Sequence, residues 1–504
     1  MAEITRQLTK NIFSSWSAYA IRMVIAFFFV PYITSVFGDA RYGVWVIIFQ
    51  TINYFFLLDV GLSSALTRFI SRHLSKDDYP AINRILNSAN LAYLLLGTLV
   101  IGGVYLFVTF FFEYFKISDA SLIEEGRSAL LILGLYMGFS FYLFPFGNTL
   151  GSFQRYDLAN VLNIIEESVR VVLMVLLLRA GYGLVALALT ILTMSVLKHL
   201  AGMVVLRRLH PRTSMRLSLA DRQSLQGLLG YSRISFGITI GWLVIFNSDS
   251  FFLGMLTSSA AAGIYNPGAQ LMHHLRNVIN AVGTPLIPAV SHLEAAGDMA
   301  GIRRIYLKAL RYVSYFSFAF TVGVVVFAPA FVRLWLPAEF APTSLVMVIL
   351  ALSSAVFLPQ IIGNSILFGV DKHRYILQVL VGEVLIKIVL SIILVPRYGI
   401  TGMALAAAVP QLLLYTTAYP YLLSKAVSIR PARILATSLS SGLIAVMVCY
   451  PVALLTERLL PPMTWVTFFA DVALMLLAAL VVFYFVLEEG DRNRVKNLSV
   501  RSRR

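Results

Sequence analysis

An all-α protein with about fourteen membrane-crossing helices is what this sequence predicts, and three observations carry the prediction. Of its 504 residues, 59% are hydrophobic and only 13% charged. That is too apolar for a soluble chain of this size, whose surface needs more polar groups. Apolar stretches of ~20 residues recur along the chain, the length that crosses a hydrocarbon core ~30 Å thick. They show no strict two-residue alternation, which argues against a β-barrel. Lipid offers no partner for backbone N–H and C=O groups, so each crossing is helical.

The expected spans lie near 12–36, 42–66, 85–110, 127–151, 158–178, 183–206, 231–256, 263–290, 309–334, 343–368, 375–395, 399–423, 434–456 and 464–487. The first is long and lacks a small-residue cleavage site, so it reads as a permanent helix and not a signal peptide. Basic residues set the orientation. With both termini in the cytoplasm, 28 of the 40 Lys and Arg residues fall on the cytoplasmic side, seven outside and five within spans. This is the positive-inside pattern. The net charge of +16 is therefore a topological signal and predicts no nucleic-acid partner. The phospholipid bilayer is the expected surroundings, and the basic tail, Arg492 to Arg504, can touch anionic headgroups.

The chain also repeats itself. At a shift of 220, Ala40, Gly43, Gln50, Leu66, Ser71, Asp78 and Arg84 meet Ala260, Gly263, Gln270, Leu286, Ser291, Asp298 and Arg304. At a shift of 216, Gly147, Asn148, Glu167, Tyr182 and Gly183 meet Gly363, Asn364, Glu383, Tyr398 and Gly399. Two six-helix sets that both start in the cytoplasm are parallel repeats, and transporters so built bind substrate between the halves. The expected division is a six-helix lobe at 1–206, a linker at 207–229, a second six-helix lobe at 230–424, two further spans at 425–487 and a basic tail at 488–504. In the linker, Ser218 is expected to cap an amphipathic helix on the membrane surface.

The repeated residues resemble a known family. The run from Asp59 to Ser71 (DVGLSSALTRFIS), after Gly38, Tyr42 and Gly43, is similar to the first-half signature of Wzx-type polysaccharide flippases. Asp249, Gly254, Gly263, Tyr265, the run Pro288 to Ser291 and the run Tyr398 to Ala404 resemble the second-half signature. The likeness covers roughly residues 10–425 and places the chain in the multidrug/oligosaccharidyl-lipid/polysaccharide exporter superfamily. It implies two lobes around a central cavity that opens alternately to the two membrane faces. The implied substrate is an oligosaccharide on undecaprenyl pyrophosphate, with a polysaccharide polymerase complex as a further partner. In members with two extra C-terminal helices, those helices offer a groove for the lipid tail. Here they either do the same or pad the second lobe.

Ionisable side chains inside spans are costly in lipid and mark cavities or ion pairs. Glu166 with Arg170, and Glu383 with Lys387, stand four residues apart and share a helix face. They either neutralise each other or line the cavity and touch substrate. Arg22 and Arg276 have no such partner on their own helices. Arg22 shares a face with Ser15 and Tyr19, and Arg276 with His273. Guanidinium binds phosphate bidentately, so both are candidate pyrophosphate contacts, with salt bridges between lobes as the alternative. Arg170, Lys387, Tyr19 and His273 complete the candidate substrate set. Asp249, Asp59, Glu167 and Glu383 are candidates for ion coupling or gating. Lys198 is expected to snorkel to the surface, and Asp471 to be solvated at an outer helix end.

No cofactor is expected beyond a coupling proton or Na⁺. One cysteine, Cys449, rules out an internal disulfide, and the seven histidines show no metal-ligand spacing. The chain lacks a GxxxxGK[ST] loop, so it does not hydrolyse ATP by that route. Ser195 and Lys198 match SxxK without its partner motifs and sit in an apolar stretch. A glycan-processing enzyme would need a large external loop with catalytic groups, and the outer loops are short. A cationic-drug antiporter of the same superfamily remains the nearest rival, and it calls for an acidic cavity.

Overall fold

The computed structural model describes the backbone of residues 2–59, 61–230, 233–487 and 492, and the side chains of 20–59, 61–63, 65–228, 237–280, 282–487 and 492. The described residues form helices and no strand. In chain order the helices are α1 (Ala2–Phe55), α2 (Leu62–Leu74), α3 (Tyr79–Phe110), α4 (Ala120–Gly147), α5 (Tyr156–Arg179) and α6 (Leu184–Leu209). There follow α7 (Arg222–Gly230), α8 (Arg233–Asn247), α9 (Asp249–Leu256), α10 (Ser259–Gly283) and α11 (Leu286–Ala295). The chain continues with α12 (Met299–Trp335), α13 (Thr343–Gly369), α14 (Arg374–Thr416), α15 (Ala418–Val427), α16 (Pro431–Leu459) and α17 (Trp465–Val486).

Among the described residues, nine helical stretches are long and apolar enough to cross a membrane. The bent pair α8–α9, with 50° between its arms, makes a tenth. Two of the runs far exceed one crossing. The 54 residues of α1 would extend ~80 Å if straight, and the run breaks at Gly38, whose φ of 67° and ψ of −176° are not helical. The 43 residues of α14 break in the same manner at Gly399, with φ 55° and ψ −129°.

Two expected spans end early. The second stops at Phe55, turns through a 3-10 segment at Phe56–Asp59, and resumes as α2 after Gly61, whose φ is 79°. The eighth stops at Gly283 and resumes as α11, with Pro285 at its N-cap. The polar residues of α2, among them Arg68, Arg72 and His73, suit an amphipathic helix better than a continuation of the span.

The linker helix also differs from expectation. Ser218 lies in a 3-10 turn, Leu217–Leu219, and caps nothing. Asp221 does the capping: its carboxylate accepts from Ser224 N at 2.7 Å and Ser224 Oγ at 2.6 Å. Those bonds, the side-chain one foremost, hold the Asp221 carboxyl below the usual range. Before α7 the linker is strapped along the first turns of α3. Asn83 bonds Arg212 O and Ser214 N, and Asn87 bonds Ser214 O and Arg216 N. Ser88 Oγ bonds Asp221 N and O, and Tyr79 OH meets His210 Nδ1 at 2.8 Å.

By packing, the chain forms two compact units, Met1–Gly263 and Ile264–Arg504. In the first, α3 packs on α4, α4 on α6, and α1 on α5. In the second, α12 packs on α13 and α16, and α16 on α17. The repeat appears in the backbone of each unit. Asp78 caps α3 by accepting from Ala81 N, and Asp298 caps α12 by accepting from Gly301 N. The residues just before them, Asp77 and Gly297, have φ of 52° and 73°. Gln154 and Asp371 also share a positive φ, 62° and 53°, ahead of α5 and α14.

The last two spans pack onto α12. Ala445, Cys449 and Ala453 of α16 are fully buried with Tyr315, Ala319 and Val326 of α12 and Phe468, Met475 and Ala479 of α17. Cys449 thus serves as a small apolar side chain.

Candidate substrate-binding site

In the first unit, tertiary packing brings together ionisable groups that sequence spacing kept apart. Arg22 is not without a partner, as its own helix implies. Its Nε lies 2.9 Å from Glu167 Oε2, because α1 packs against α5. The expected pair within α5 is present, with Arg170 Nε 2.9 Å from Glu166 Oε1, and Arg170 also stands 3.9 Å from Glu167. Lys198 on α6 interacts with all four of these charges, so it belongs to the cluster instead of standing apart at the surface. Tyr136 on α4 interacts with Arg170 and Glu166. Among the described residues the cluster contains three cations and two carboxylates. Arg22 is its open member, with 45% of its side chain exposed against 21% for Glu167. The side chains of Tyr19 and Ser15 lie outside the described residues.

The second unit holds a comparable group. Glu383 and Lys387 are both buried to 1% exposure. Tyr415 OH donates to Glu383 Oε2 at 3.2 Å. Gln411, which receives Ser353 Oγ at 3.0 Å, also bonds Glu383. Arg276 and Lys387 both act electrostatically on Glu383, and both act on His273. Arg276 therefore has a carboxylate neighbour too. Each unit thus places a carboxylate at the repeat-related position, Glu167 or Glu383, near an arginine from another helix, Arg22 or Arg276. In each cluster cations outnumber carboxylates among the described residues.

The remaining candidates are placed as follows. Asp249 is the first residue of α9, buried at the α8–α9 bend, where its charge favours the helix N-terminus. Tyr54 of α1 interacts with it and bonds the adjacent Ser248. Asp59 is buried and serves the turn before α2, accepting from Tyr93 OH and, at 2.8 Å, from Ser63 Oγ. Asp471 is not solvated. It shares the buried stripe of α17 with Phe468, Met475 and Ala479, and both its oxygens are enclosed without a hydrogen-bond partner among the described residues. Spacing along α17 carried that signal, since 468, 471, 475 and 479 follow a helical face.

At the end of the first unit away from the linker, Glu125 ties three elements together. Its Oε2 takes Arg41 at 2.6 Å, and its Oε1 accepts from Leu184 N at 2.6 Å, at the start of α6. Gly183 leaves room for this, because a Cβ there would fall 1.8 Å from Glu125 Oε1.

The profile of the family described as polysaccharide biosynthesis protein matches residues 8–294, more than half of the chain. The chain is 22% identical over 416 residues to the uncharacterized membrane protein EpsK of Bacillus subtilis, covering 81% of each. It is 23% identical over 232 residues to the probable low-salt glycan biosynthesis flippase Agl15 of Haloferax volcanii, covering 46% of this chain and 49% of that one. In fold it is similar to the lipid II flippase MurJ in an inward closed conformation, with a TM-score of 0.70 at 16% identity over 94% of this chain and 98% of that one. An inward-facing multidrug transporter of the MATE family and MOP superfamily gives a TM-score of 0.65 at 14% identity, over 84% and 96%. With a family profile that matches more than half of its length, this multi-pass membrane chain belongs to the polysaccharide biosynthesis protein family.

Proposed function

We propose that this protein flips undecaprenyl-pyrophosphate-linked oligosaccharide from the cytoplasmic to the periplasmic face of a bacterial inner membrane, by alternating access between two six-helix lobes. The observation that carries the reading is the cation excess of both membrane-embedded clusters. A diphosphate crossing a membrane needs guanidinium or ammonium partners, and Arg22, Arg170 and Lys198 in one unit and Arg276 and Lys387 in the other supply them. Glu167 and Glu383 hold these cations while the site is empty and are displaced as phosphate arrives. A coupling proton or Na⁺ has its candidate site at buried Asp249. The protein acts as a transporter and not as an enzyme, with both termini in the cytoplasm and about fourteen crossings. A cationic-drug antiporter would require carboxylates in excess, the reverse of both clusters.

The test is reconstitution of the purified protein into liposomes with a fluorescent diphosphate-linked oligosaccharide lipid. Protein-dependent loss of accessibility on the loading face is the expected result. No movement of that lipid, together with uptake of cationic dyes, would overturn the proposal in favour of antiport.

A further inference from the structure

The first turns of α3 and α12 are repeat-related, yet they carry different side chains. Asn83, Asn87 and Ser88 of α3 meet Arg303, Leu307 and Lys308 of α12 at the shift of 220, and Leu91 meets Arg311. In the first unit that face is filled by the chain itself, since the three polar residues bond the linker from Arg212 to Asp221. In the second unit the related residues line a cavity instead. This cavity, of about 720 Å³, is bounded on its other side by residues 428–430 and the first turn of α16. Among the described residues, six cations line it, Arg303, Arg304, Lys308, Arg311, Arg430 and Arg433, and none of the lining residues is acidic.

We infer that this cavity is a binding site for a phosphate-bearing anion, separate from the membrane-embedded clusters. Three features support the assignment. Charge of one sign lining a concave surface concentrates field into it, and the volume falls within the usual range for small-ligand sites, ~300–1,000 Å³. The N-terminus of the 29-residue α16 opens at the cavity, with Arg430 at its N-cap and no side-chain cap. The helix dipole there favours an anion. Arg303 is positioned by a 3.0 Å bond from its Nε to Val427 O, which fixes its guanidinium on the cavity wall. Ordinary topological charge would serve equally well on the filled face of α3, where amides stand instead. The ligand is the phosphate of an anionic lipid headgroup or of a soluble phosphorylated compound.

The full-length protein tests the inference with two probes. Inorganic pyrophosphate is titrated into detergent-solubilised protein by calorimetry. Phosphatidylglycerol retention is measured by native mass spectrometry after exchange into phosphatidylcholine nanodiscs doped with that lipid. Arg304→Gln and Arg433→Gln, both at exposed positions, should each weaken binding roughly tenfold. Arg304→Lys should retain part of it, and Arg84→Gln, at the related position of the first unit, should leave it unchanged. Binding of pyrophosphate that follows this pattern identifies a soluble source, and retention of the lipid alone identifies a headgroup. Absence of binding by both probes, or equal loss in Arg84→Gln, overturns the assignment.

Discussion

Arg22 is the residue whose loss separates a substrate contact from a structural ion pair. Two unit charges ~4 Å apart attract by about 4 kcal/mol at an effective dielectric of ~20. Solvent screening reduces what such a partly exposed pair adds to stability to about 1 kcal/mol, and Arg22 is 45% exposed. Glu167 also retains Arg170 at 3.9 Å after Arg22 is removed. Arg22→Ala should therefore fold at wild-type yield, with little change in Tm. A charge-assisted hydrogen bond to phosphate is worth ~1.5–3 kcal/mol, so Kd for a diphosphate-linked lipid should rise roughly 10- to 150-fold. Glu167→Gln provides the opposite perturbation. It frees Arg22 and raises the cluster's net charge, so binding should tighten several-fold while release slows. Both variants can be measured in proteoliposomes, by ligand titration and by the rate of lipid movement at matched protein content. Wild-type affinity and rate in Arg22→Ala would refute the reasoning. So would equal weakening in Glu167→Gln, which would show that the pair itself is what matters.

Orientation can be checked by single-cysteine labelling in a Cys449→Ala background, which removes only one buried sulfur atom. A cysteine at Ser121 should react from outside intact cells and one at Ala300 only after permeabilisation; labelling of Ala300 in intact cells would reverse the topology. Gly183→Ala should destabilise the first unit by about 1–3 kcal/mol, because a Cβ would press on Glu125 Oε1 and on Arg41 and break the bond to Leu184 N; an unchanged Tm would contradict this geometry. The strapped linker should loosen in acid. Burial, reinforced by Arg155, lowers the pKa of His210, and a depressed folded pKa gives stability that is complete above the unfolded value of ~6.5 and lost as pH falls through the folded one. Hydrogen exchange over 210–221 should therefore accelerate as pH drops below about 6, after correction for intrinsic rates, and less so in His210→Gln. Equal acceleration in the two proteins would remove His210 from the cause.

The sequence alone determined the class of this protein, because bilayer thickness and the absence of water impose long apolar helices that need no tertiary information to recognise. The repeat was legible for a similar reason. Its markers are local, such as the Asp78 and Asp298 caps, which recur at the same shift with the same backbone geometry. Charge pairs within one helix, such as Glu166 with Arg170, were also legible, since helical pitch fixes which residues share a face. What the fold alone decided was every relation between helices. Spacing along α1 gives Arg22 no partner, and only the packing of α1 on α5 brings Glu167 within 2.9 Å of it. Packing likewise enclosed Asp471, and the linker helix starts at Arg222, so that Asp221 and not Ser218 caps it. Coulombic and hydrogen-bond energies depend on distance through space, and sequence spacing gives that distance only within one regular element.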